Sequence, residues 1–128
     1  MVEEKQGNEV VINQPAGHLE NGESLLAAVI RETQEETAWQ FRPEAIIGIH
    51  RWVHPDQGQT YLRISYTGSV GQHDPSQALD SGILRATWLS REELLSQPLR
   101  SPMVMRSIDD YLAGCRYPLS LCDDIIGS

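Results

Sequence analysis

Three glutamates crowded near the end of one helical segment constrain this chain more than any other feature. Asn21-Gly22 marks a turn, and Ser24 to Thr37 reads as the helix that follows it. At about 3.6 residues per turn, Leu25, Leu26, Val29, Ile30 and Thr33 form one stripe. Glu36 falls inside that stripe, Glu32 lies at its edge, Glu35 sits further round and Arg31 is on the far side. At least one carboxylate therefore points toward the protein body. Glutamates at 32, 35 and 36 are also i, i+3 and i+4 neighbours, which repel, and they crowd the helix end where the backbone dipole disfavours negative charge. A hard divalent cation with oxygen ligands offsets both the repulsion and the cost of burial. The competing reading is a solvated acidic face, and an isolated E-x-x-E-E does not choose between the two.

The flanking residues do choose. The chain runs Gly17-His18-Leu19-Glu20-Asn21-Gly22-Glu23, then seven residues to Arg31-Glu32, then Thr33-Gln34-Glu35-Glu36-Thr37-Ala38-Trp39. This resembles the Nudix box, in which a glycine, a glutamate and an R-E-x-x-E-E run recur at fixed spacing. Gly17, Glu23, Arg31, Glu32, Glu35 and Glu36 all fall on the fixed positions. Two positions depart. Thr33 stands where an apolar residue is usual, and Ala38 replaces a glycine suited to a left-handed helix cap, at a cost on the order of 1 kcal/mol. Asn13 to Glu20, Leu99-Arg100-Ser101-Pro102 and Arg116-Tyr117-Pro118-Leu119 are similar to a bacterial Nudix phosphatase subgroup associated with nucleoside di- and triphosphates and hydroxymethylpyrimidine pyrophosphate.

The resemblance implies a hydrolase of phosphate esters or anhydrides that uses Mg²⁺, with Mn²⁺ as a substitute, on a small phosphorylated substrate. It places Glu32, Glu35 and Glu36 in the metal and water machinery, with the Ala16 or Gly17 carbonyl as an additional ligand. Arg31 joins Glu32 and Glu35 in the catalytic set, and pairs with Glu23 to hold loop and helix together. Asp80 is a candidate general base or extra ligand, and an equally good turn residue. Arg63 alternates with Tyr61 and Ser65 on one strand face, where it meets either phosphate or water. Trp52 and His50 are candidates to stack on a base ring, or to pack the strand. His18, inside the box loop, is a further candidate to approach substrate. Two other classes stay open: a Nudix domain that holds nucleotides without turnover, and a diphosphohydrolase that splits X-linked nucleoside diphosphates.

Glu9 to Gln14 reads as a strand, Ala45–Val53 and Thr60–Val70 as a strand pair, and Ile83–Leu89 as another strand. Ser90 and Glu93 form a capping box opening a short helix that stops before Pro98. Pro102–Ala113 suits a last helix with Gly114 just past it. The order predicts an α+β fold, a Nudix-type αβα sandwich with a mixed sheet, in one domain over residues 1–128. The resemblance places Met1 to Lys5 near the end of a second strand. The first strand and most of the second are then expected to be absent, leaving a sheet edge that a second copy can cover as a homodimer.

The net charge of -8 excludes a general nucleic-acid backbone binder, which needs a basic patch. No stretch approaches the roughly 20 apolar residues that span a bilayer. Cys115 and Cys122 are too few for a disulfide framework, so reduced thiols and a cytoplasmic location are expected.

Overall fold

The computed structural model describes residues 1–125. Strands β1 (Val2–Gln6) and β2 (Glu9–Asn13) form an antiparallel hairpin with Gln6 opposite Glu9. Gly7, first in the two-residue loop, has φ +63°, the left-handed backbone that a tight hairpin of this kind needs there. Strand β5 (Ile83–Ala86) pairs with the other side of β1, so β1 is the central strand of three. The chain expected as the tail of a strand is thus a strand paired on both edges. The segment 98–100 borders the outer edge of β2: Ile12 N–H donates to Pro98 O and Arg100 N–H to Ile12 O. Ile12–Leu99 is also where the expected mixed character appears, since it is a parallel bridge while the strand ladders are antiparallel.

Strands β3 (Trp39–Val53) and β4 (Thr60–His73) form the second sheet. Both run longer than the hydrophobic pattern indicates. Pro43 would normally end a strand, but the register shifts beside it absorb the residue that cannot donate. Gly68 opposite is required, because a Cβ there would sit 1.9 Å from Arg42 O. Strand β5, by contrast, stops at Ala86, short of the expected Leu89, and Trp88 is 71% exposed.

Helix α1 (Leu25–Thr37) is capped by Ser24, whose hydroxyl accepts from Ala27 N–H at 3.1 Å. It ends on Ala38 with φ 62° and ψ 16°, the left-handed cap anticipated from the sequence. Helix α2 (Arg91–Leu94) carries the Ser90–Glu93 capping box. Helix α3 (Pro102–Leu112) starts on the Ser101 cap, with Pro102 where its missing N–H costs nothing. Both α1 and α3 pack on β3, which makes the layered α/β arrangement. Val2, Ile46, Leu94 and Val104 are fully buried at its centre.

The stripe on α1 behaves differently from an ordinary packing face. Leu25, Leu26, Val29 and Thr33 are only half-buried and Ile30 is exposed, whereas Glu36 and Thr37 are buried. The apolar side of this helix borders a cleft, and its acidic end is the part that the fold encloses.

Candidate active site

Glu32, Glu35 and Asp80 each present an oxygen within 4.8 Å of the others. Two come from one face of α1, and Asp80 is brought in by the loop before β5. That loop is fixed to the helix end by Asp80 N–H donating to Glu35 O at 3.0 Å, and it turns back through Ile83 N–H to Asp80 O at 3.0 Å. Glu36 lies beside them, 7% exposed, and its Oε1 accepts from Ala16 N–H at 3.1 Å. Burial is the main reason its carboxyl is pushed up to about 8; the Ala16 bond works the other way, and Glu32 adds to the rise. Burial also raises Glu35, and Asp80 reinforces it. Carboxylates this close, one of them buried and short of positive partners, fit a hard divalent cation with oxygen ligands.

Gly17 has a packing role here. A Cβ at that position would lie 2.0 Å from Glu32 Cδ, so the loop approaches the carboxylate as only glycine allows.

Arg31 organises the other side of the cluster. Its Nε and Nη2 donate to Glu23 at 2.7 and 3.0 Å, and Nη1 donates to Glu32 at 2.9 Å and Glu35 at 3.2 Å. Nη2 also donates to His18 O at 3.2 Å. Glu23 in turn accepts from Glu20 N–H at 3.1 Å, and the Arg31 guanidinium holds its carboxyl below the usual range. One guanidinium thus connects the loop after Gly17 to both helix carboxylates. Arg31, expected on the side of the helix away from the apolar stripe, is enclosed by its carboxylate partners and is only 22% exposed.

A cleft of about 960 Å³ opens beside the cluster, bordered by α1, β4 and the β1–β2 hairpin. Gly17, His18 and Glu32 line it, and so do Arg63 and Trp52. Arg63 is half-buried and donates to Gln14 Oε1 at 3.0 Å and Asn13 Oδ1 at 3.2 Å. Trp52 stacks on Tyr61, ring centroids 5.5 Å apart and planes at 28°, with His54 at 5.1 Å. His50 is not brought to the cleft: its Nε2 lies 2.8 Å from Asp110 Oδ2 on α3. Gly48 leaves the room for that pair, since a Cβ there would meet His50 Cε1 at 3.0 Å. Sequence reasoning gave no site role to Asn13, Gln14 or Tyr61, although Tyr61 alternates with Arg63 on its strand and the two amides open the stretch that resembles the phosphatase subgroup; their contacts with Arg63 join residues distant in sequence. Cys115 and Cys122 are free and half-buried.

A glycine loop feeding a helix of clustered carboxylates, set against a cleft in a layered α/β fold, defines a hydrolase of the Nudix class. The chain belongs to the NUDIX domain family, which matches residues 2–110. Over 125 residues it is 42% identical to Phosphatase NudJ of Escherichia coli K12, covering 97% of this chain and 81% of that protein. The structure of a NUDIX hydrolase from Nitrosomonas europaea superposes with a TM-score of 0.95 at 46% identity, covering 99% of this chain and 88% of the other. The solution structure of the E. coli ORF135 protein shares the fold, with a TM-score of 0.59, 19% identity, and 88% and 78% coverage. The chain is accordingly a hydrolase of phosphate or pyrophosphate linkages in small phosphorylated substrates, from a family that works with a divalent metal ion. Among the described residues no helix is long and apolar enough to cross a membrane.

Proposed function

We propose that this chain acts as a single domain that releases orthophosphate from a nucleoside di- or triphosphate, or from a related pyrophosphate such as hydroxymethylpyrimidine pyrophosphate, with Mg²⁺ as the ion and Mn²⁺ as a substitute. The observation that carries this reading is the convergence of Glu32, Glu35 and Asp80 within 4.8 Å beside buried Glu36. Glu32, Glu35 and Glu36 would hold the ion, with the Ala16 carbonyl as a further donor. When bound, the ion polarises phosphoryl oxygens and lowers the pKa of water. Arg31 fixes the rotamers of Glu32 and Glu35, and Glu23 fixes Arg31. Asp80 takes the proton of the attacking water, which Glu32 orients. Arg63 and His18 meet the anionic end of the substrate, and Trp52 receives a flat ring.

A second copy completes the molecule in this reading. Strand β4 pairs only with β3 among the described residues, and Leu62 on it is 70% exposed. Such an edge favours pairing with another chain. Size-exclusion chromatography showing a folded monomer would count against it.

The enzymatic test is product analysis. The purified chain with Mg²⁺ is given nucleoside di- and triphosphates, hydroxymethylpyrimidine pyrophosphate and nucleotide sugars, and orthophosphate is measured with and without added pyrophosphatase. Direct orthophosphate release is expected. Signal only with pyrophosphatase would make pyrophosphate the product. Cleavage of nucleotide sugars into two phosphate-bearing products would instead identify a diphosphohydrolase.

A further inference from the structure

Arg63 has an environment unlike that of the other buried or paired arginines. Arg31, Arg85, Arg91, Arg100 and Arg106 each form an ion pair with a carboxylate. Arg63 has no carboxylate partner among the described residues, although it is half-buried in a chain of net charge -8. Its two acceptors are the neutral amide oxygens of Gln14 and Asn13. A cation removed from water without an anion is costly, so an arrangement that maintains one points to an anion that arrives from outside.

The two amides are themselves aimed. Gln14 Nε2 donates to Val104 O at 3.0 Å, which turns its oxygen toward Arg63. Asn13 Nδ2 donates to Glu4 Oε1 at 3.4 Å, which does the same for Asn13. Glu4, the carboxylate nearest in effect, is also engaged by Arg100 at 3.7 Å. Of the five N–H donors of a guanidinium, two are used, and Arg63 lines the same cleft as Glu32 and Gly17. Gln14 and Ala16 lie in one short loop, so the amide that aims Arg63 is two residues from the N–H that holds Glu36.

We propose that Asn13 and Gln14 are positioning residues that keep Arg63 charged but unneutralised, so that it takes the substrate phosphate that is not at the acid cluster. This rests on the phosphohydrolase reading above and deepens it: of the linked phosphates such a substrate carries, one sits at the carboxylates and another at Arg63, aimed there by Asn13 and Gln14. Neutral acceptors are essential to the device. A carboxylate in either place would bond Arg63 equally well and remove the charge that the second phosphate needs.

The test compares Gln14→Glu with Gln14→Ala in the full-length chain, with chelator present and inorganic pyrophosphate as the titrant in calorimetry. Glu keeps an acceptor for Arg63 and neutralises it; Ala removes the acceptor and leaves the charge. The expected order of affinity is wild type, then Ala, then Glu, with Glu weaker than wild type by about tenfold or more. A purely structural role for Gln14 predicts the reverse order of the two variants. In turnover with Mg²⁺, Gln14→Glu should raise KM by about tenfold with kcat within about twofold of wild type. Gln14→Glu binding pyrophosphate as well as Gln14→Ala, or wild type not binding it, would overturn the proposal. Should Gln14→Glu fail to fold by circular dichroism, the Asn13→Asp and Asn13→Ala pair decides by the same order. Absence of turnover by the wild type on every substrate would sink the hydrolase reading, while the calorimetric order still decides the role of the amides.

Discussion

At Gly17 a single missing Cβ sets the position of a carboxylate. The clash that Ala would create, 2.0 Å from Glu32 Cδ, is with the far end of a movable side chain rather than with backbone. Gly17→Ala should therefore fold normally and displace Glu32. The expected result is a fall in kcat of about a hundredfold, with Tm changed by no more than a few degrees. A Tm loss as large as that of a core variant would place the role of Gly17 in folding instead. Glu36 makes the complementary case. Glu36→Gln keeps the Ala16 bond and removes a buried charge from a group of like charges, so without metal at pH 8 it should melt a few degrees above wild type. A lower Tm would show that the carboxylate stabilises the metal-free fold. Much of this scale was legible beforehand. The inward turn of Glu36 followed from its place in the apolar stripe, and the Arg31–Glu23 pair from the box. The side on which His50 ends was not, because its partner Asp110 lies sixty residues on.

Among the elements, α1 shows how a helix can be specified for a site at some cost to itself. Its start is well capped by Ser24, but it ends on a residue forced to φ 62°. Ala38→Gly should relieve that strain and stabilise the chain by about 1 kcal/mol in chemical denaturation, without touching the carboxylates. No gain, or a loss, would mean that the buried Ala38 methyl packs well enough to offset the backbone strain. The sequence pattern located this cap and the Ser90–Glu93 box, since both depend on neighbours close along the chain. It located strand ends less well. β3 extends through Pro43, opposite Gly68 of β4, because bulges on the pair absorb it, and bulges are a property of two strands together. Ile83–Leu89 was shortened at the other end, where β5 follows only the length that β1 offers.

For the whole molecule, the raised Glu36 carboxyl links fold, metal and pH. Its pKa is about 8 in the folded chain and near its ordinary 4.5 when unfolded. Between those values the folded state binds the extra proton, so metal-free stability falls as pH rises through that window and levels off above it. Glu35, also raised, acts in the same direction. A divalent ion requires the deprotonated forms and reverses the trend: its affinity should increase from pH 6 toward about 8, with protons released on binding. Thermal melts across this range with Mg²⁺ or with chelator should diverge as pH rises; parallel curves would contradict the linkage. The layered fold was legible from element order, but the division into two sheets separated by a cleft was not. That division depends on β5 pairing with the free side of β1, which joins residues far apart in the chain.

The measurement closest to the central claim is orthophosphate release from a nucleoside diphosphate at pH 8, titrated with Mg²⁺, for wild type and Glu36→Gln. The acid cluster as a metal-dependent hydrolytic centre predicts no turnover in chelator, saturable recovery with Mg²⁺, and a loss of about a hundredfold or more in the variant. Turnover that survives chelation, or that Glu36→Gln leaves intact, would contradict it.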